Sequence, residues 1–311
     1  MTIVINTPNS HIGRRVTQRL LDSEIAVDII TRNPDKVRDL SAQGASVLVG
    51  SCDDQELLTR AFEGAEAVFW LTPPAYRPDY NAWVRATASK AASALHGARV
   101  EHVVNVSSIG AHAGPETGPI AVLGDVESIL SEAAPNVVHL RPGSFMENRL
   151  ADVPTIASAG AIYSPLPRNA AMATIATCDI ADVAATYLLG ADWTGKKVHE
   201  LRGPRDLTGV ESASLIAKGI DKPVEYVEIS IEQSREAMAQ AGLPDFVVDL
   251  YSEMFLAMKE GRIAPEQPRT SETTTPTGLV QFAREVLKPA VEAAASKTRA
   301  PSVSVIEIEA Q

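Results

Sequence analysis

The 311-residue sequence is short of several things, and each shortage narrows what it can be. It has two cysteines, Cys52 and Cys178, far apart and outside any metal-ligand spacing. That excludes a disulfide framework and reads as reduced, structural thiols of a cytoplasmic protein. Cations are in deficit, with 28 Lys and Arg against 39 Asp and Glu and a net charge of −11. Nucleic acid and anionic membrane surfaces are held by clustered Lys and Arg, so neither is an expected partner. No apolar run reaches the roughly 18 residues of a membrane span. The first strand begins at once, which leaves no room for a signal peptide. The six histidines show no metal spacing, and no metal is expected. No internal repeat is evident.

What is present is a soluble-type composition, 45% apolar and 22% charged, in a chain long enough for a large α/β domain and a smaller lobe. Short β-branched runs at 3–5, 27–30, 46–49, 67–71, 102–106 and 137–140 suit strands buried on both faces. Helical patterns at 12–21, 34–40, 54–62, 80–95 and 125–133 lie between them. Strand and helix in alternation imply right-handed crossovers and a doubly wound, Rossmann-like parallel sheet. Asn33-Pro34 and Asp53-Asp54 are helix-start signals. After Arg141-Pro142-Gly143 the regularity loosens into helix, turn and loop punctuated by Pro154, Gly160, Pro165 and Pro167. A helix at 179–189, capped by Cys178 or Asp179, and a strand at 198–201 are expected next. A helix at 208–220, a strand at 224–229 and helices at 231–241 and 244–260 then follow. Residues 265–277 read as a loop and 279–295 as a last amphipathic helix. The expected division is a dinucleotide-type domain over 1–150, a smaller α/β substrate lobe over 151–296 interleaved with the sheet edge, and a mobile tail over 297–311.

The opening stretch, from Ile3 through Arg14, outlines a strand, a tight turn and a helix N-terminus, which is an anion site. Dinucleotide folds fill this turn with glycines so that the pyrophosphate can approach the backbone. Only Gly13 is glycine here; Thr7 and Ser10 hold the two earlier positions. The N–H groups from Asn9 through His11 and Ile12 to Gly13, with the Thr7 and Ser10 hydroxyls, are candidates to hold a phosphate. A plain strand-to-helix turn with Ser10 as helix cap is the competing reading. Arg32 closes the second strand, where an acid selects NAD and an arginine accepts the 2′-phosphate of NADP. A solvated arginine is the alternative.

Ligands in such sheets bind beyond the carboxyl ends of the strands. That places Thr72 and Pro73 after the fourth strand, and Ser107 and Ser108 after the fifth, beside a bound ring. The bland alternative is hydroxyls bonding their own turns. The 141–148 segment should wrap the cleft mouth, with Phe145 and Met146 as an apolar wall and Asn148 as a polar contact; Tyr76 is a further substrate contact. No tyrosine is followed four residues later by lysine, and there is no Gly-x-Ser-x-Gly. No acid–base pair or nucleophile elbow is therefore identifiable. Thr72, Ser107 and Asn148 are the remaining candidates for orienting a reacting group. His112 and Glu127 stand near the site, the first as an exposed loop residue and the second as a helix-dipole partner.

Taken together, several segments resemble the NmrA-like group of atypical short-chain dehydrogenases. They are His-Ile-Gly-Arg-Arg-Val at 11–16, Thr-Arg-Asn-Pro-Asp-Lys-Val at 31–37, and Gly-Ala-Glu-Ala-Val-Phe-Trp-Leu-Thr-Pro-Pro at 64–74. His-Val-Val-Asn-Val-Ser-Ser-Ile-Gly-Ala at 102–111, Leu-Arg-Pro-Gly-Ser-Phe-Met-Glu-Asn at 140–148 and Asp-Ile-Ala-Asp-Val-Ala-Ala at 179–185 continue the register. Gly-Pro-Arg-Asp-Leu-Thr at 203–208 and Ala-Gly-Leu-Pro-Asp-Phe-Val-Val-Asp-Leu at 241–250 look like the group's second lobe. The resemblance implies NADP as cofactor and, as activity, NADPH-dependent reduction of a quinone or other conjugated carbonyl by a monomer or homodimer. It also allows a dinucleotide-binding redox sensor without turnover. The departures, Thr7 and Ser10 for glycine, Ser51 for an Asp and Leu123 for a His, motivate a third reading. That is a repurposed isomerase, cyclase or lyase that has dropped the cofactor.

Overall fold

The computed structural model describes residues 1–299 other than Tyr76 and Ala191. Seven strands form one parallel sheet: β1 (Thr2–Ile5), β2 (Ala26–Thr31), β3 (Ser46–Val49), β4 (Ala67–Leu71), β5 (His102–Val106), β6 (Asn136–Pro142) and, later in the chain, Lys196–Leu201. The first six coincide with the expected runs to within two residues. Between them lie β7 (Ser144–Phe145), β8 (Ala161–Ser164) and β9 (Thr174–Ile175), so Lys196–Leu201 is β10 and Glu225–Glu228 is β11. Sheet order is β3-β2-β1-β4-β5-β6-β10, and it reverses direction between β1 and β4.

The helices are α1 (His11–Asp22), α2 (Arg38–Ala42), α3 (Gln55–Phe62), α4 (Tyr80–Ala98), α5 (Ala121–Ala133), α6 (Val153–Ala159) and α7 (Thr177–Leu189). They continue with α8 (Gly209–Ile220), α9 (Ile231–Gln240), α10 (Asp245–Lys259), α11 (Leu279–Phe282) and α12 (Lys288–Arg299).

The period-2 alternation of each strand distributes side chains to two layers. Ile3 and Ile5 join Ile12, Val16 and Leu20 of α1 and Ile180, Ala184 and Leu188 of α7. Val4, one step out of phase, joins Leu58 and Phe62 of α3, Ala88 and Leu95 of α4, and Val126 and Leu130 of α5 on the other face. Each fully buried aliphatic side chain contributes about 1.5–3 kcal/mol. This is why the βα alternation was legible in the sequence.

Three features differ from expectation. α7 starts at Thr177, and neither Cys178 nor Asp179 caps it. Glu147 does so from a distance, accepting from the Thr177 N–H at 3.0 Å and the Thr177 hydroxyl at 2.5 Å. The stretch expected to be irregular contains β8, which pairs in parallel with β11 outside the main sheet. The last helix is divided: a π turn over residues 283–287 separates α11 from α12. α12 runs to Arg299, three residues into the expected tail, and 300–311 lie outside the described residues.

A third cluster forms around Met146, Ile162, Leu207, Ile216 and Phe282, distinct from the two that cover the sheet. Residues 265–277 are a strap along the outer edge of β10. The Gln267 side chain accepts from Glu200 N at 3.1 Å and donates to Val198 O at 2.7 Å. The buried Glu200 carboxylate accepts from the N–H groups of Glu266 and Gln267. These bonds satisfy an edge that would otherwise recruit another strand.

Candidate functional site

The β1–α1 turn has a single glycine, Gly13, where a glycine-rich loop carries three. Thr7 sits at φ 51°, the left-handed region that a β-branched residue rarely occupies. Ser10 N–H donates to Thr7 O at 3.0 Å, and Ser10 Oγ both donates to Thr7 O and accepts from Gly13 N, each at 2.9 Å. Ser10 is thus the helix cap. Its hydroxyl is engaged within the turn, as is the Gly13 N–H. A Cβ on Gly13 would lie 2.4 Å from Thr7 O, so only glycine lets the helix start against the turn. Of the unpaired N–H groups every helix start carries, those of His11 and Ile12 remain for a ligand. Asn9 points its amide to Thr31 Oγ1 at 2.9 Å and so ties the turn to the end of β2.

Arg32 follows directly. It is exposed, and no side-chain partner claims it among the described residues. The neighbouring arginines differ: Arg14 pairs with Asp39 at 2.5 Å and Arg38 with Asp35 at 2.8 Å.

At the point where strand order reverses, the Asn6 amide exchanges two hydrogen bonds with the Leu71 backbone, at 2.9 and 2.8 Å. It holds the carboxyl ends of β1 and β4 together in a place the ladder does not reach. Sequence reasoning missed Asn6; a polar residue directly after an apolar strand was its only signal, and the structure buries it fully. Three hydroxyls that follow strand ends are out of reach of solvent and unpartnered among the described residues: Thr7 Oγ1, Thr72 Oγ1 and Ser107 Oγ. They stand just beyond the adjacent strands β1, β4 and β5. A buried hydroxyl without a partner costs about 1–3 kcal/mol, and three at neighbouring strand ends suit a polar ligand. Cys52, beside Asn6 and the Thr7 backbone, has its thiol pushed up to about 11 by burial and stays protonated.

The other expected residues divide. Ser108 bonds the backbone oxygen of Ile109 at 2.9 Å, so its hydroxyl is engaged locally. Ser107 N and Ile109 N donate to Leu140 O and Pro142 O, which carries the β5–β6 pairing into the site. Pro73 is half-buried next to Thr72. Phe145 packs against the core under the sheet. Met146 is buried in the third cluster, just past Phe145. Asn148 is exposed, with one long contact of 3.5 Å to Ser144 Oγ. Tyr76 lies outside the described residues.

Glu127 is fully explained by structure. Arg141 donates to both its oxygens, at 2.8 and 2.7 Å, in a buried bidentate pair, and reaches Glu266 at 2.6 Å. His112 meets the same Glu266 oxygen at 3.0 Å. Behind this network His139 is buried between Asn105 and Ser131, and burial lowers its pKa to about 4. Among the described residues no group of His, Cys, Asp or Glu is placed to hold a metal ion, and no helix is long and apolar enough to cross a membrane.

A doubly wound sheet with an anion-binding helix start, a free arginine after β2 and unpartnered hydroxyls at the reversal point is the site of a dinucleotide-binding protein. The sequence comparison agrees: the family model described as NAD(P)H-binding matches residues 9–189, more than half of the chain, and the protein belongs to that family. Among curated relatives it is similar to the NAD(P)H azoreductase of Xenophilus azovorans, 28% identical over 249 residues, covering 78% of this chain and 82% of that protein. It is also similar to Quinone oxidoreductase 2 of Escherichia coli (strain K12), 26% identical over 282 residues, covering 87% and 92%. Among solved structures, the triphenylmethane reductase of Citrobacter sp. in complex with NADP(H) superposes with a TM-score of 0.74 at 21% identity, covering 94% of this chain and all of that one. NmrA, a negative transcriptional regulator, in complex with NADP gives 0.74 at 15% identity, covering 94% and 97%. These two likenesses establish the fold.

Proposed function

We propose that the protein is an NADPH-dependent reductase of a quinone or similar conjugated carbonyl. The observation that carries the reading is the trio of buried, unpartnered hydroxyls, Thr7, Thr72 and Ser107, at the strand ends beside the helix start. A dinucleotide bound there would supply a hydride. The chain's own part is to bind and orient. The N–H groups of His11 and Ile12 hold the pyrophosphate, and Arg32 meets the 2′-phosphate as a charge-assisted donor. The Ser107 and Thr72 hydroxyls fix the planar groups at the end of β5 and β4. The engaged hydroxyls of Ser10 and Ser108 act by keeping the turns rigid. With no side-chain acid identified among the described residues, positioning provides the rate enhancement, and the proton that follows the hydride comes from water. Residues 151–296 form the substrate lobe in this reading. The relatives named for azo and quinone reduction support the reaction class.

The test is calorimetric titration with NADPH and NADH, followed by NADPH oxidation across a quinone panel. NADPH should bind more tightly than NADH. Arg32→Ala should raise the NADPH dissociation constant about tenfold and leave that of NADH unchanged, as loss of one hydrogen bond to a charged group implies. Absence of saturable NADPH binding overturns the proposal; binding with no turnover on any acceptor leaves a dinucleotide sensor.

A further inference from the structure

A cavity of about 40 Å³ lies behind β7 and β9, walled by Met146, Leu166, Met172, Leu207 and Leu279 and floored by the Tyr226 ring. Its lining begins at Ser144, two residues beyond the end of β6. Ile109 N donates to Pro142 O, and Gly143 sits so close to Ala173 O that a Cβ there would lie 2.6 Å from it. The site-facing ends of β5 and β6 are therefore clamped to the strand that lines the cavity, with Ser144 opposite Thr174. The Tyr226 hydroxyl is taken by Leu166 O at 2.8 Å, and its ring covers Gly209, where a Cβ would fall 2.6 Å from ring carbons. One solvent-shielded polar atom of the lining is left over among the described residues. Thr174 Oγ1 is shielded from solvent and has no hydrogen-bond partner among the described residues. Arg149, also in the lining, is already paired with Asp152 at 2.9 Å and offers no free charge.

We infer that this cavity is a specificity pocket for a short substituent on the acceptor, an apolar arm carrying one hydrogen-bond acceptor such as an ether or carbonyl oxygen. Its volume has room for about three to four non-hydrogen atoms. The walls reward apolar contact, and the Thr174 hydroxyl is a donor with nothing to donate to. A bare ring leaves the pocket unfilled, and an anionic arm meets no free cation. The inference rests on the reductase reading for its kinetic test, but the pocket can be probed without turnover.

The experiment compares 1,4-benzoquinone with its 2-propyl and 2-propoxy derivatives. Burying the arm should lower KM about tenfold from benzoquinone to propyl. The propoxy oxygen should lower it by a further factor of about three, the worth of a modest hydrogen bond. Ala170→Phe, at the exposed rim of the lining, should bring the three KM values together. Thr174→Val should remove only the propoxy advantage, a pattern that mere loss of stability does not produce. Equal KM values for all three quinones in the unmodified protein overturn the inference. If no quinone is turned over, the reductase reading fails by itself. Ligand-detected NMR with propoxybenzene then decides the pocket: binding that Ala170→Phe abolishes upholds it, and no binding refutes it.

Discussion

Two clusters of polar residues sit at the carboxyl edge of the same sheet, and they solve opposite problems. At β6, Glu127 and Arg141 are buried in a bidentate pair, and the exposed Glu266 adds a second carboxylate to Arg141. At β1, β4 and β5, the neutral hydroxyls of Thr7, Thr72 and Ser107 are equally secluded and have nothing to bond among the described residues. The first cluster is complete, which marks it as structural. The second is complete only when something else arrives. Polar satisfaction, more than polarity, separates framework from site.

The comparison can be broken most severely at its satisfied side. Glu127→Ala strands the Arg141 guanidinium beside a single half-exposed partner, and should cost about 3 kcal/mol in denaturant unfolding, the scale for breaking a buried pair. Replacing both residues with apolar ones should recover most of that loss. An equally large loss in the double variant would show that the pair, and not the stranded charge, sets the stability.

The histidine behind that network gives an effect of similar size through pH. Burial holds His139 at about 4, below the ordinary 6.5. The unfolded chain therefore binds the extra proton first. His139 stability is fully present above about pH 6.5 and is lost as pH falls toward 4, on the order of 3 kcal/mol in all. Unfolding midpoints of the unmodified protein should fall across that window, and those of His139→Gln should fall much less.

At the unsatisfied side the largest expected change is in ligand binding. Gly13→Ala puts a methyl against Thr7 O, and should weaken NADPH binding about tenfold or more as the turn opens to relieve it. Calorimetry reads this directly. The smallest effect has the opposite sign. Thr7→Gly frees a β-branched residue from the left-handed region, which costs about 1–2 kcal/mol, less about 0.5–1 for the added freedom of the unfolded glycine. A net gain of about 0.5–1 kcal/mol in stability is expected, with NADPH binding weakened because one of the three hydroxyls is gone. A loss of stability would mean that the Thr7 hydroxyl is worth more to the fold than the strain it imposes.

Much of the fold was readable because it follows from local periodicity. The six strands and their helices announce themselves through β-branched runs and 3.6-residue spacing, and Asn33 and Asp54 cap their helices as their positions suggest. The candidate site was readable in part. Residues at strand ends were located, but which of their hydroxyls were free was not. Ser10 and Ser108 are consumed locally, whereas Ser107, adjacent to Ser108, is not. Met146, expected in the cleft wall, is a buried member of the third cluster and lines a cavity there. Glu147 gave no sign of capping α7 from 30 positions away. Such bonds join residues distant in sequence, and no periodicity encodes them.

The sequence alone determined the layered βα architecture, the strand-to-helix turn at Gly13 and the arginine after β2, because each depends on neighbours along the chain. The tertiary structure alone decided that Thr7 takes a glycine's conformation, that Asn6 joins β1 to β4 and that Glu127 belongs to the framework. Those outcomes depend on which groups meet across the sheet. The physical reason is the cost of an unpaired polar group away from water, which is settled only once the whole chain has closed around it.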